Sequence, residues 1–129
     1  MSDRMFFDAS SQGAAPKAGR LPQSIGIETK GGVFTPLIER GTPLPVSWSE
    51  SFTNGDASQP GIQVRAFQGR HRKTARNQRL GIFEVHGFAA GPPGAAQIEI
   101  TFHVDVQGVL TVSAYDRRAG RELPVTVAG

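Results

Sequence analysis

The stretch QIEITFHVDVQGVLTVSAYDRRAGRELPVTV, residues 97–127, decides the fold class. Apolar and polar side chains alternate from Gln97 to Val104 and again from Val109 to Tyr115, the period of strands that bury one face. Asp105-Val106-Gln107-Gly108 and Asp116-Arg117-Arg118-Ala119-Gly120 join the segments, and each ends on a Gly able to take the positive φ that a tight hairpin needs. Arg121 to Val127 follows as a third strand-like segment. Working outward toward the N-terminus, five further segments of the same kind are Ser24–Thr29, Val33–Ile38, Trp48–Thr53, Ile62–Phe67 and Leu80–His86. Ile25, Ile27 and Thr29 share one face; Ile62, Val64 and Ala66 share another, opposite Gln63, Arg65 and Phe67. Pro36 marks its segment as an edge or irregular strand. Residues 1–23 are mostly small and polar and show no apolar period, so a flexible N-terminal arm is expected there. The expectation is an all-β protein: an eight-stranded antiparallel β-sandwich over residues 24–129.

The 129 residues suffice for one core, and sixteen Gly and nine Pro leave little room for long helices. There is no Cys, which excludes disulfides, thiolate catalysis and cysteine-ligated metals. No apolar run reaches the roughly twenty residues that cross a bilayer as a helix, and the first residues lack a secretory pattern. A cytoplasmic protein with no membrane partner is expected.

Little in the chain points to catalysis. There is no G-x-S-x-G elbow, Walker loop or G-x-G-x-x-G, and His71, His86 and His103 stand outside any recognised motif. Glu28, Glu39, Glu84, Glu99 and Asp105 are scattered singly, where acid–base work needs a converging pair. The reading is a non-enzyme with no cofactor and no metal.

Charge is unevenly placed. Of fourteen Lys and Arg, six fall within residues 65–79, namely Arg65, Arg70, Arg72, Lys73, Arg76 and Arg79, with no acid among them. Such a patch could meet phosphates or an acidic surface, but it lacks the interleaved aromatics that stack bases, so nucleic acid is the weaker of the partner readings.

SIGIETKGGVFTPLIERGTPLP at 24–45 resembles the opening of the peptide-binding β-domain of the seventy-kilodalton heat-shock chaperones, the DnaK family. VRAFQGRHRKTARNQRLGIFEVHG at 64–87, PPGAAQIEITFHVDVQGVLTVSAYDRRAGRE at 92–122 and the closing LPVTV resemble further blocks of that domain, in order. The resemblance implies a β-sandwich whose end loops form a channel for extended, unfolded peptide segments. Such a ligand offers unpaired backbone groups and alternating apolar side chains, so its reader needs backbone partners and an apolar pocket. By position, the family's pocket residues fall on Ile27, Thr29, Phe52, Thr53, Gln59, Ile62 and Val64. Read from periodicity alone, the same apolar residues would be ordinary core.

Several positions depart from the family's pattern. The two apolar side chains that arch over the family's bound peptide correspond to Lys30 and Gly55, which implies a more open channel, weaker retention, or a shift toward peptides with acidic residues near Lys30. The family's lid-latching residues align with Ala57 and Pro93, neither able to form a salt bridge. The apolar linker to the family's ATPase domain aligns with Ala15-Pro16-Lys17-Ala18-Gly19, which lacks its chemistry. The expectation is therefore a peptide-holding module without the ATPase domain or the helical lid and without ATP hydrolysis of its own. A further reading is self-association, with Met5, Phe6 and Phe7 of the arm as the segment that enters a channel.

Overall fold

The computed structural model describes residues 5–8, by their backbone alone, together with 19–55, 61–89 and 91–128. Its strands are β1 (Met5–Asp8), β2 (Ile25–Thr29), β3 (Val33–Ile38), β4 (Val46–Phe52), β5 (Ile62–Gln68), β6 (Gln78–Val85), β7 (Ile98–Val104), β8 (Val109–Asp116), β9 (Arg121–Leu123) and β10 (Val125–Ala128). Two five-stranded antiparallel sheets result. One runs β1-β8-β7-β4 with β9 also on β8; the other runs β10-β6-β5-β2-β3.

The deciding stretch folds as its period requires. Ile98, Ile100, Phe102 and Val104 on β7, with Leu110, Val112 and Ala114 on β8, point inward and are sealed from solvent. They join one core cluster with Ile25, Ile27, Ile62, Val64, Ala66, Leu80, Phe83 and Val85 of the second sheet. Both hairpin turns are held by their aspartates. Asp105 Oδ1 accepts from the N–H groups of Gln107 (2.8 Å) and Val109 (3.0 Å), and Asp116 Oδ1 accepts from those of Arg118 (3.0 Å) and Ala119 (3.1 Å). Gly108 and Gly120 take φ of 86° and 69°, as the turn reading requires.

The antiparallel sandwich is as expected, but the strand count is not eight. Arg121–Val127 is divided at Pro124, which has no N–H to continue a ladder. Its first half pairs with β8 and its second with β6, so the segment passes from one sheet to the other. β1 adds a further strand, Met5–Asp8 lying antiparallel to Val109–Val112 on the same side of β8 as β9. Two pieces of the stretch expected as an arm thus belong to the sandwich. The other is Gly19–Gln23: Leu21 is in the core, its N–H donates to Thr42 O (3.0 Å), and its carbonyl accepts from Gly41 N (2.8 Å).

The outward face of the second sheet carries a departure from simple alternation. Phe67, expected outside, and Phe34 are both buried yet belong to no part of the main core cluster. A register shift between Ala66 and Phe67 accompanies this, and the segment 69–77 crosses here, Phe34 N donating to Arg72 O at 2.7 Å. That segment was expected as a solvated loop; it contains one 3-10 turn, Thr74–Arg76, and the buried Thr74.

Gly26 sits where β2, β3 and β5 meet, opposite Pro36 and Phe67. A Cβ there would land on the carbonyl oxygen of Thr35 and 2.7 Å from the Cα of Pro36, so backbone would have to move. Gly26→Ala is expected to destabilise the domain by about 1–3 kcal/mol, the usual range for overpacking, read as a lower urea midpoint at unchanged m-value.

Candidate functional site

The residues expected to line a pocket divide into a buried set and an exposed set. Ile27, Ile62 and Val64 are 8%, 5% and 3% exposed and belong to the core cluster, against which Phe52 packs while half-buried. β2 and β5 lie side by side with Ile27 opposite Ala66, so Thr29 and Val64 each stand two residues further toward the same end of the sheet. The structure thus places Ile27, Ile62 and Val64 in the core, with Thr29 and Lys30 exposed at the end of β2 and Thr53 and Gly55 exposed after β4. Gln59 and Ala57, within residues 56–60, lie outside the described residues.

Local chemistry fixes the rim. Lys30 sits in the turn between β2 and β3, where Gly31 and Gly32 take φ of 87° and 71°. Thr29 Oγ1 lies 2.9 Å from Thr35 Oγ1 and donates to Val33 O at 3.3 Å, so its hydroxyl closes the hairpin. Beyond β4, Phe52 and Thr53 line a hollow of about 350 Å³ with Gly94, Ala96, Gln97 and Arg117. Arg117 at its edge is held by Glu99 through a 2.7 Å ion pair, whose hydrogen bond and charge raise the guanidinium above the ordinary arginine range. A larger hollow of about 410 Å³, between Phe88, Pro92, Ala95 and the Asp116–Ala119 turn, contains none of the expected residues. We attach no binding role to it.

One residue that the sequence reading passed over organises this end. Asn54 is buried, and its amide donates to Gly91 O (3.2 Å) and Pro92 O (3.0 Å) while Oδ1 accepts from Ala96 N (2.9 Å). Its own carbonyl accepts from Gly94 N at 3.1 Å. The chain leaving β4 is thereby fastened to the Gly/Pro loop before β7, close to Pro93, where the family's pattern would place a salt bridge. An asparagine in a polar loop signals a turn by composition; no local feature reveals that it satisfies a loop some forty residues away.

The expected non-catalytic residues have structural partners. Ser47 Oγ lies 2.7 Å from His103 Nδ1, and Ser49 Oγ lies 2.8 Å from Thr101 Oγ1. Both are directly opposed pairs of β4 and β7, a polar ladder on a solvated face. His86 Nε2 is 3.3 Å from Thr126 Oγ1 across β6 and β10. Among the described residues, no three His, Asp or Glu gather as metal ligands. Among those residues, no helix is long and apolar enough to cross a membrane. The backbone of Met5, Phe6 and Phe7 pairs with β8, at a sheet edge formed by Val112, Thr111 and Leu110.

The described residues form a two-sheet antiparallel sandwich in which Asn54 fastens the chain after β4 to the loop before β7. A family model described as Hsp70 protein matches residues 20–129, a span that includes all of β2 to β10. The chain belongs to the Hsp70 family, and the matched region is of its substrate-binding type. A chaperone-related role follows from that membership.

Removing the Asn54 amide leaves the buried Ala96 N–H without its partner, a loss that costs about 1–3 kcal/mol. Asn54→Ala is expected to lower the melting temperature and to speed hydrogen exchange at Gly94 and Ala96 while leaving the protection of β7 and β8 intact.

Proposed function

We infer that this domain holds extended apolar segments of unfolded polypeptides, and that it does so without hydrolysing ATP itself. The observation that supports the reading is the passage along β2 from the buried Ile27 to the exposed Thr29, beside Val64 and Ile62 on β5. On this reading a bound chain runs past Thr29 and Thr53, between the Gly-rich β2–β3 hairpin and the chain that leaves β4, with Ile27, Val64 and Ile62 as the apolar side of its pocket. An extended client meets the two things it needs there: backbone groups of irregular rim segments, and an apolar surface for alternate side chains.

The departures from the family's pattern shape this reading. Lys30 in place of one arch residue and Gly55 in place of the other cannot close an apolar bridge over a bound chain. Retention then depends on the pocket alone, and weak, rapidly reversible binding follows. Phosphate-cradling motifs are absent from this sequence, so release is governed by the dissociation rate.

A labelled Leu-rich heptapeptide is expected to bind with measurable affinity by fluorescence anisotropy. Filling the core position, as in Ile62→Phe, would overpack the sandwich as well as the pocket, so the decisive variant is Thr29→Trp at the exposed rim. It should weaken binding at least tenfold with an unchanged circular dichroism spectrum. A wild-type protein that ignores the peptide, or a Thr29→Trp protein that binds it normally, overturns the reading.

A further inference from the structure

The cations of residues 69–79 occupy a fixed place against the hairpin that forms one rim of the site. Thr74 makes the attachment: its N–H donates to Gly32 O at 3.0 Å, and its hydroxyl contacts Gly32 O at 3.1 Å and Glu28 Oε2 at 2.6 Å. Val33 and Lys73 form a β-bridge, and Phe34 N donates to Arg72 O at 2.7 Å. Arg72 and Lys73 are therefore fastened through their backbones to the residues that follow Lys30 in the β2–β3 turn. The other end of the loop is closed by Asn77, whose amide donates to His71 O (2.7 Å) and whose Oδ1 accepts from His71 N (2.9 Å).

None of these fastenings uses a cationic head. Lys30, Arg70, Arg72, Lys73, Arg76 and Arg79 are exposed, and among the described residues none of them has an ion-pair partner. Glu28 is the one acid between residues 24 and 38, and its oxygens already face Thr74 and, at 3.8 Å, Arg65. Like charges crowded on a pinned loop repel, and a ligand that brings negative charge relieves the repulsion. The aromatic side chains of this surface, Phe34 and Phe67, are buried, which leaves nucleobases nothing here to stack on. An extended polypeptide advances about 3.3 Å per residue. Side chains two or three residues beyond the pocket thus lie about 7–10 Å further along the bound chain, comparable with the roughly 8–10 Å over which charges act at ordinary salt.

The geometry points to a client class: apolar segments flanked by Asp or Glu on the side that crosses the β2–β3 hairpin, selected by the Arg72–Lys73 stretch. This rests on the peptide-holding reading above and names which peptides it favours. The hydrophobic pocket supplies retention, and the pinned cations supply discrimination between sequences of equal hydrophobicity.

The test uses three labelled peptides with one shared Leu-rich centre and flanks of Glu, Ser or Lys, titrated by anisotropy at low and high salt. At low salt the Glu-flanked peptide is expected to bind roughly tenfold more tightly than the Ser-flanked one, as a few partly screened charge pairs allow, and the Lys-flanked peptide more weakly. The differences should collapse at high salt, and also in Arg72→Gln/Lys73→Gln, which keeps its affinity for the Ser-flanked peptide. Equal binding of all three overturns the selectivity while leaving the pocket intact; binding of none overturns the pocket and the selectivity together. A preference that survives the double variant removes the loop's role. If a Glu-rich peptide without leucines binds as tightly, or a single-stranded oligonucleotide displaces the acidic client equally well, the loop is a general polyanion surface and the proposal fails.

Discussion

Everything in this molecule depends on the sealed face shared by β7 and β8. Seven alternate side chains, from Ile98 to Ala114, are excluded from water by the opposite sheet, and burial of that order is the main favourable term in holding a domain together. Because the side-chain period of a strand is two, a slip of one residue in either strand would turn this face to solvent. The register of the sheet is therefore fixed by the core, and the positions of every loop follow from it. With no disulfide to constrain the loops, what remains to shape them is hydrogen bonding.

That bonding falls to a few small polar side chains with backbone partners. Asp105 and Asp116 close the two hairpins, Asn54 joins the chain after β4 to the loop before β7, and Thr74 joins the segment after β5 to the β2–β3 turn. In each case a short side chain satisfies backbone groups that could not otherwise be withdrawn from water. The loops at this end are thus built differently from the core: the core by area, the loops by directed contacts. Cationic side chains take no part in holding loop 69–77, so they can vary or bind without cost to the fold.

The strands were legible because alternation is a local property. β3, β5, β7 and β8 fall within a residue or so of where the period places them. β4 starts two residues earlier than its apolar pattern suggests, since its inward positions include Trp48 and Glu50 at a partly open edge, where the indole N–H donates to Glu50 at 2.9 Å. The division of the last strand at Pro124 was not legible in advance, because a proline marks a break without saying which sheet the chain enters next. The recruitment of Leu21 and of β1 was also missed: both lie in small, polar surroundings with no period of their own, and it is distant partners that order them.

By itself, the sequence determined the two-residue period, the turns that reverse it and the concentration of charge between residues 65 and 79. These follow from neighbours along the chain. Tertiary structure alone decided that Ile27, Ile62 and Val64 share one core, that Asn54 reaches Gly91, Pro92 and Ala96, and that the cationic segment lies against Gly32 and Val33. Each is a meeting of residues far apart in the chain, selected only when the two sheets close on their common core and every buried polar group must find a partner.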